Sequence, residues 1–353
     1  MQIDYIIVGQ GICGSFLSYY LEKEGQKILV IDESRPNSPS KVASGVINPF
    51  TGRRIVKTWL IDKLLPFARE AYTSLGESLN SSLIRSVDIL DFHPTLQMKE
   101  AFENRSGEES EFLEIVDQEE SWSHYFRFLY GIGKIRNAQL VELPLLLSTF
   151  REKLRKQNCL LEEKFDFSGF HPVENFGGIS YQGFRAKKII FCDGVSGFDN
   201  PYFQRLPFVR TKGEALIAEI PDLPDSTLFK QGITIVPWKK GLFWIGSSYE
   251  WNYSDPNPTA AFRNKTEAHL DYWLKLPFKI VDHLAAERPA NVERRPFVGL
   301  HPHFPTIGIL NGMGTKGCSL APYFAYQLSR NLLQGIPVNP LADVQRFAKT
   351  LLR

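Results

Sequence analysis

Apolar positions along the chain fall into short blocks whose spacing separates strands from helices. Continuous apolar runs are typical of buried strands, whereas apolar residues that return every third or fourth position indicate amphipathic helices. The pattern predicts buried strands at 3–8 and 28–31 with a helix between them, closed by Gly25. Further helices are predicted over residues 60–79, 142–157 and 259–276, and after Gly317.

The remaining apolar blocks predict short strands before residue 206 and longer strands after it. Residues 34–54 are rich in Ser, Pro and Gly and are expected to form an ordered loop, and residues 80–135 show only short β-like runs between acidic loops. Beyond residue 206 longer blocks indicate an antiparallel sheet, with Lys239–Gly241 as a hairpin turn. The predicted strands are 160–165, 179–184, 188–192, 206–209, 214–219, 232–237, 242–247 and 306–310.

A glycine-rich turn directly follows the first predicted strand. Gly9 suits the tight turn, Gly11 leaves room for a pyrophosphate against the backbone, and Gly14 allows close packing of helix on sheet. Helix N–H groups and the positive end of the helix dipole then favour phosphate. Asp32, at the end of the second strand, has the position of a ribose-binding carboxylate. The arrangement predicts a dinucleotide site.

Length and composition narrow the function classes. A chain of 353 residues favours two domains, and 41 basic against 39 acidic residues give a net charge of only +2. Near-neutral charge offers no general argument for nucleic acid, and no apolar stretch has the length of a membrane span. The four cysteines are dispersed, and no secretion signal precedes the first strand, so reduced thiols and a cytoplasmic location are expected.

Further turns with the character of a cofactor site occur in the middle and near the end of the chain. The strand before Cys192 ends in Asp193-Gly194, where ligands of α/β sheets bind, and the last predicted strand runs into Asn311-Gly312-Met313-Gly314. Cofactor elements at the start, middle and end, with β-rich segments between them, are unusual for a simple NAD dehydrogenase.

With both glycine-rich loops in place, the chain resembles the D-amino-acid oxidase and glycine oxidase family of FAD enzymes over essentially its whole length. The resemblance implies an α/β fold: a glutathione-reductase-type, Rossmann-like FAD-binding domain with an interleaved antiparallel-sheet substrate domain. It implies FAD-binding segments 1–58, 138–205 and 285–353 and substrate-binding segments 59–137 and 206–284. The motifs that carry it are Gly9–Gly14 with Asp32, Ala43–Ile47, Cys192–Gly194, Glu287–Pro289 with Pro296–Gly299, and Asn311–Gly317 followed by Leu320–Pro322.

The resemblance also implies roles for individual residues. Residues 43–48 are expected to wrap the flavin, Phe165 to lie near the adenine, and the Gly312–Gly317 loop to aim the last helix at the flavin, with Lys316 adding positive charge. The cofactor-binding set is Gly9, Gln10, Gly11, Ile12, Cys13, Gly14, Asp32, Glu33, Ala43, Ser44, Gly45, Val46, Ile47, Asn48, Phe165, Cys192, Asp193, Gly194, Gly312, Met313, Gly314, Thr315, Lys316 and Gly317.

Arg288 is the expected substrate residue, as the family's arginine clamps a substrate carboxylate in a bidentate fork. The implied reaction oxidises the C–N bond of a small amino acid or amine by hydride transfer to flavin N5, with oxygen or a quinone as electron acceptor. A purely structural ion pair is the alternative for Arg288. Where relatives often have a Tyr this chain has Thr234, and Met313 replaces a His, so Thr234 and Trp251 are further substrate-binding candidates.

Other functions stay open on the sequence alone. The FAD module of tRNA wobble-uridine modification enzymes is one alternative, a flavin-loaded protein without turnover another, and an NAD-only dehydrogenase a third. Arg53 and Arg54 are read as a solvated loop rather than an anion-binding patch, so no nucleic-acid partner is expected. His301 and His303 are read as a surface turn without a metal.

Overall fold

The computed structural model describes residues 2–117, 119–173 and 178–352. The strands are β1 (Gln2–Val8), β2 (Ile28–Ile31), β3 (Val46–Ile47), β4 (Phe50–Thr51), β5 (Val56–Lys57), β6 (Ile84–Phe92), β7 (Leu113–Ile115), β8 (Ile132–Val141), β9 (Leu160–Leu161), β10 (Phe170–Val173), β11 (Gly178–Tyr181), β12 (Phe184–Phe191), β13 (Phe208–Glu219), β14 (Thr227–Gln231), β15 (Ile233–Lys239), β16 (Leu242–Gly246), β17 (Lys279–Asn291), β18 (Phe297–Leu300) and β19 (Ile307–Asn311). The helices are α1 (Ile12–Lys23), α2 (Pro39–Val42), α3 (Ile61–Ser78), α4 (Leu96–Glu108), α5 (Leu143–Lys156), α6 (Ala260–Trp273), α7 (Gly317–Gln334) and α8 (Ala348–Leu351).

The first sheet has a parallel core in the order β9-β2-β1-β12-β19. Strand β2 and the carboxyl-terminal halves of β1 and β12 are apolar and buried, because both faces of the sheet are covered there, as parallel sheets require. Helices α1, α5 and α7 pack together on one face, and the hydroxyl of Tyr72 in α3 donates to the carbonyl of Cys318 in α7 at 2.9 Å. This sheet therefore brings the carboxyl ends of strands from the start, middle and end of the chain to one edge.

The second sheet runs β17-β13-β16-β15-β14-β6-β8-β3, with β7 paired to β8. Its strand pairs are antiparallel except for β14 and β6, which run parallel to each other. One face packs against the helices of the first sheet, where Trp244 donates its indole N–H to the carbonyl of Val42 at 2.9 Å. The second sheet is therefore antiparallel, as the resemblance implies, apart from this one parallel pair.

Several predicted elements differ in extent. The strand expected over 160–165 stops at Leu161, and the one expected over 179–184 is two strand ends joined by a turn at Gln182-Gly183. Residues 208–209 and 214–219 belong to one strand, β13, which begins at Phe208, so Leu206 and Pro207 lie outside it. The loop expected over 34–54 contains α2, β3 and β4.

Helix α4 was missed because only Phe102 of its 13 residues is buried, so no apolar period marks it. Its start is capped by Thr95, whose hydroxyl oxygen accepts from the N–H of Met98. The expected domain boundaries at 137/138 and 284/285 fall inside β8 and β17, which run through them. The division into domains stays a prediction.

Candidate cofactor and substrate site

A cleft of about 1110 Å³ lies between the carboxyl ends of the parallel strands and the second sheet. This volume is slightly above the usual range of small-molecule sites and suits a ligand as long as a dinucleotide. Seventeen of the predicted cofactor residues line it, and so does Arg288. They are Gly9, Gln10, Gly11, Ile12, Cys13, Asp32, Glu33, Ala43, Ser44, Phe165, Cys192, Asp193, Gly194, Met313, Gly314, Thr315 and Gly317.

The first glycine loop has the geometry that its sequence predicts. Gly9 has φ +99°, and a Cβ there would lie 2.5 Å from the carbonyl oxygen of Cys192. A Cβ on Gly14 would lie 1.8 Å from the carbonyl oxygen of Gly9, so only glycine lets α1 approach the turn this closely. Beside Gly11 the closest protein atom to such a Cβ is Ser40 Oγ at 3.2 Å. The backbone of Gly11 therefore borders the cleft, as a pyrophosphate site needs.

Asp32 holds the turn together and keeps capacity for a ligand. Its Oδ2 accepts the N–H of Gln10 at 2.8 Å, and its Oδ1 accepts from Arg151 at 2.7 Å and from the N–H of Ser34 at 2.8 Å. A carboxylate offers about four acceptor positions. The lone pair left on Oδ2 is free for a ribose hydroxyl, since the side chain is 20% exposed and lines the cleft.

The second loop joins the ends of β12 and β19. The carboxylate of Asp193 accepts from Asn311 at 2.9 Å and from Asn200 at 3.1 Å, and Asn311 also donates to the carbonyl of Gly194. Burial raises the pKa of Asp193 to about 6, against the opposing effect of these amide bonds. The amides nevertheless fix the chain reversal that closes this side of the cleft.

The third loop opens α7. The cleft is lined by Met313, Gly314 and Thr315. Lys316 is not one of the residues that the structure shows lining it. Lys316 Nζ instead donates to the hydroxyl oxygen of Thr58 at 3.4 Å, and burial together with Arg295 lowers its pKa. The ammonium group of Lys316 therefore lies at the N-terminal end of α7 and does not line the cleft.

Arg288 lies on β17 at the other end of the cleft. Its guanidinium donates to the carbonyls of Lys212 at 3.3 Å and Ser248 at 3.1 Å, and it lies 5.7 Å from the ring centroid of Tyr249. No carboxylate of the described residues forms an ion pair with it. Burial lowers the pKa of its guanidinium. The structural ion-pair alternative for Arg288 therefore has no support.

Other predicted site residues lie elsewhere. A Cβ on Gly45 would meet the Val141 carbonyl at 2.0 Å, and Val46 and Ile47 pair with β8, so this segment contacts the second sheet. Residues 45–48, Gly14, Gly312, Thr234 and Trp251 lie outside the described wall of the cleft. Trp251 is 50% exposed and packs edge-on against Tyr249, the neighbour of Arg288. Contacts of these residues with cofactor or substrate stay predictions.

Phe165 lines the cleft from an irregular segment rather than from a strand. Its ring stacks on Tyr181 with centroids 4.7 Å apart. The chain leaves the sheet after Leu161, so the aromatic ring projects into the cleft wall instead of the sheet interior. The expected position near the adenine end stays a prediction.

Two residues that shape the site, Arg151 and Ser40, were not predicted from the sequence. Arg151 sits one helical turn from Leu147 and Leu154 on the buried face of α5, and a buried arginine in an otherwise apolar stripe was the available signal. Ser40, whose hydroxyl accepts from the N–H of Ile12 at 3.2 Å, belongs to the Ser/Pro-rich loop that lines the cleft. Its role depends on a contact between distant segments, which composition does not show.

The remaining candidates take no part in the cleft. Arg53 and Arg54 are exposed beside the β4–β5 hairpin. His301 is buried, which corrects the expectation of a surface turn at this residue, and its Nδ1 accepts from the N–H of His303 at 3.1 Å. The described residues contain no group of three potential metal ligands, and none of their helices combines the length and apolarity needed to cross a bilayer.

The residues present fit FAD. The loop at Gly9–Gly14 provides a cradle that a Cβ would fill, Asp32 keeps an acceptor for ribose, and the long cleft passes the start of α7 before it reaches Arg288. The residues that would hold the adenosine and pyrophosphate are those of the first loop and Asp32. The start of α7 would hold the flavin.

Comparison with known proteins agrees with this fit. The family model described as FAD dependent oxidoreductase (DAO) matches residues 4–330. Glycine oxidase of Bacillus subtilis (strain 168) is 24% identical over 344 residues, 90% of this chain and 89% of that enzyme. The crystal structure of glycine oxidase from Geobacillus kaustophilus superposes with a TM-score of 0.80 at 17% identity and covers 96% of each chain. That of L-proline dehydrogenase from P. horikoshii gives 0.77 at 15% identity, over 99% of this chain and 98% of the other. The chain therefore belongs to the DAO family of FAD-dependent oxidoreductases, and its fold is that of the amino-acid oxidases.

Proposed function

We propose that this enzyme oxidises the carbon–nitrogen bond of a small amino acid whose carboxylate is held by Arg288. The observation that carries the proposal is the unpaired guanidinium of Arg288, which lines the cleft and is held by two carbonyl oxygens. Two backbone acceptors leave further N–H donors of the fork free. A carboxylate matches them in charge and in geometry.

FAD, when bound, supplies the two-electron acceptor for this oxidation. The task of the chain is then to position the substrate. A carboxylate bound at Arg288 lies at the end of the cleft next to Ala286, Ser247 and Trp244. Fixing one end of a small substrate in this way limits the orientations of its Cα–H and C–N bonds, and such orientation supplies a large part of a rate enhancement.

Lys316 has a proposed electrostatic role. Its pKa is lowered by burial and by the nearby Arg295 and Arg294, so positive charges are concentrated at the start of α7. This potential favours an acceptor that gains negative charge on reduction. Lys316→Met is expected to lower the midpoint potential of the bound flavin, measured by dye-coupled reduction, while leaving substrate affinity within twofold.

Matched pairs of compounds test the carboxylate requirement. Under anaerobic conditions, bleaching of the flavin is followed with glycine, sarcosine, proline and D-amino acids, and with methylamine and pyrrolidine, which lack the carboxylate. At least one amino acid should bleach the flavin at a concentration where its matched amine does not. Equal bleaching by proline and pyrrolidine, or by glycine and methylamine, would contradict the proposal.

Two arginine variants test whether Arg288 is the residue that binds the substrate carboxylate. Arg288→Met should raise the half-saturating substrate concentration about 100-fold, as expected for loss of charge-assisted bonds worth about 1.5–3 kcal/mol. Arg210→Met is the control, because Arg210 also lines the cleft but is paired with Asp199 at 3.3 Å. The same preparations, reoxidised by air or by a soluble quinone, identify the electron acceptor.

A further inference from the structure

The side chains of Lys212 and Glu214 form an ion pair that water does not reach. Lys212 Nζ lies 3.0 Å from Glu214 Oε1, and the two side chains are 1% and 0% exposed. Removing two charges from water costs several kcal/mol for each ion unless their geometry and hydrogen bonds are very good. A pair kept at this cost next to the cleft calls for a specific role.

Polar groups of the segment between β16 and α6, together with His283 of β17, surround the pair. Glu214 accepts from the N–H and the hydroxyl of Thr259 at 2.6 and 2.9 Å, and its Oε2 lies 2.9 Å from His283 Nε2. Lys212 also donates to the carbonyl of Asn257 at 3.1 Å and lies 3.6 Å from a carboxylate oxygen of Glu250. The pair therefore fastens the segment between β16 and α6 onto β13.

That segment forms a short two-stranded ribbon with β13. Glu214 and Ser248 exchange bonds, N–H to hydroxyl at 3.0 Å and N–H to carbonyl at 3.1 Å. Lys212 and Glu250 exchange two backbone bonds at 2.9 and 3.0 Å. We call residues 212–214 with 248–250 the arginine ribbon, because the two carbonyl oxygens that hold Arg288 are those of Lys212 and Ser248, one on each side.

The alternation of a strand places the ion pair and Arg288 on opposite faces of this ribbon. Side chains of Lys212 and Glu214 point to one face, and Gly213 between them faces the other. The guanidinium lies directly over Gly213, where a Cβ would come within 1.6 Å of Nη2. The tripeptide thus supplies a flat floor for the guanidinium on the cleft side and a buried charge pair behind it.

We propose that the Lys212–Glu214 ion pair positions Arg288 for the substrate carboxylate by locking the arginine ribbon, an inference that rests on the carboxylate-binding role proposed above. Lys212 and Glu214 are positioning residues, since neither side chain reaches the face that carries the guanidinium. Loss of the pair lets the two carbonyl oxygens move apart, and the fork of Arg288 loses its fixed direction.

The chain contains a matched control pair. Lys230 Nζ lies 2.6 Å from Asp91 Oδ2, and these side chains are 17% and 1% exposed. They lie on β14 and β6, so β14 is three strand spacings from β13, about 14 Å. Removing this pair perturbs the same sheet to a similar degree without touching the ribbon.

The test compares Lys212→Met/Glu214→Gln with Lys230→Met/Asp91→Asn, both as FAD-loaded enzyme. Acetate serves as the carboxylate probe, and its binding is followed by the change in flavin absorbance, beside the melting temperature. Both double variants are expected to melt earlier. Only Lys212→Met/Glu214→Gln should bind acetate about tenfold more weakly, with a similar rise in KM and a rate of flavin reduction at saturation within threefold of wild type.

The outcomes separate this inference from the proposed function. Wild-type acetate affinity in Lys212→Met/Glu214→Gln, with weak binding in Arg288→Met, overturns the positioning role and leaves the carboxylate site intact. Acetate that binds Arg288→Met as well as wild type contradicts the proposed function itself. An equal loss of affinity in both double variants shows a general effect of sheet damage and also overturns the inference.

A milder variant covers the case in which the double variant does not fold. Glu250→Gln removes only the outer carboxylate of the network, whose side chain is 33% exposed, so the fold should tolerate it. The inference then expects about a threefold loss of acetate affinity. An affinity equal to that of wild type in this variant would count against it.

Discussion

The two ends of the cleft are built from different contacts. At the end lined by Gly9 and Gly11, main-chain atoms pack against main-chain atoms. At the end lined by Arg288, a side chain donates hydrogen bonds to carbonyl oxygens. A Cβ on Gly14 would meet the Gly9 carbonyl at 1.8 Å, and one on Gly213 would meet the guanidinium of Arg288 at 1.6 Å. The numbers are similar, but the atoms differ. The carbonyl of Gly9 belongs to the main chain of the turn between β1 and α1 and has little freedom to move, whereas the end of an arginine side chain can swing aside.

The difference separates two ways to build a binding site. The cofactor end is rigid because main-chain atoms of the first glycine loop pack directly against one another and against the carbonyl of Cys192. The other end depends on buried polar groups that must all be paired, since each unpaired one is costly. A substitution at the first end should therefore affect cofactor binding and folding together, and one at the second should affect substrate affinity with the fold retained.

The strongest test of the rigid end is Gly14→Ala. The added methyl meets a fixed carbonyl, so overpacking of several kcal/mol and loss of bound flavin are expected, measured by flavin content and melting temperature. Gly25→Ala is the control, because Gly25 has φ +73° but open space around it and should cost only about 1–2 kcal/mol. Full flavin content in Gly14→Ala would remove the contrast between the two ends.

Gly213→Ala tests the adaptable end. Its methyl displaces the guanidinium, so KM for the substrate should rise about tenfold while the flavin content stays unchanged, because the arginine side chain can swing aside. Steady-state kinetics and the flavin spectrum of the same preparation give both quantities. A variant that loses flavin as Gly14→Ala is expected to do would show that both ends respond alike.

The pH dependence of stability tests the loop at Asp193, which lies between the two ends of the cleft. Burial raises the pKa of Asp193 from 3.8 to about 6, so the folded protein binds more protons than the unfolded chain between these values. The contribution of Asp193 to stability is therefore present at low pH and falls as pH rises from about 4 to about 6, by at most about 1.4 kcal/mol per pH unit. Denaturant unfolding of wild type and Asp193→Asn across this range checks it. Parallel curves would mean that Asp193 titrates normally.

The smallest effect is expected outside the cleft. Arg53→Ala/Arg54→Ala removes two exposed charges that lie at neither end of the cleft, so stability should change by less than about 0.5 kcal/mol and KM should stay the same. Wild type should also bind a tRNA transcript only weakly in a gel-shift titration. Tight binding that weakens steeply with salt and is lost in the variant would instead favour an RNA partner.

The two ends also differ in how far the sequence predicts them. The first loop is predictable because its function requires glycine at fixed positions, and Gly9 and Gly14 have the close approaches that this requires. Arg288 was expected only from the family resemblance. The roles of Gly213 and Ser248 could not be predicted, since they depend on which residues β13 meets on β17 and on the segment after β16.

Secondary structure shows the same limit. Helices α3 and α5 follow from their apolar period, but α4 has only one buried side chain and no such period. Strand β9 is shorter than the strand predicted over 160–165 because the chain turns out of the sheet after Leu161, towards Phe165. Local pattern predicts an element where burial is local, and tertiary contacts set its ends elsewhere.

The parallel core joins strands that are far apart in the order of synthesis. Strand β1 pairs with β12, β12 pairs with β19, and α1 packs on α7. The glycine turn between β1 and α1 therefore gains α7 as a neighbour only after residues 317–334 have left the ribosome. Coenzyme capture is consequently a late event in biogenesis, and a prematurely terminated chain that ends before residue 307 lacks the scaffold to retain it.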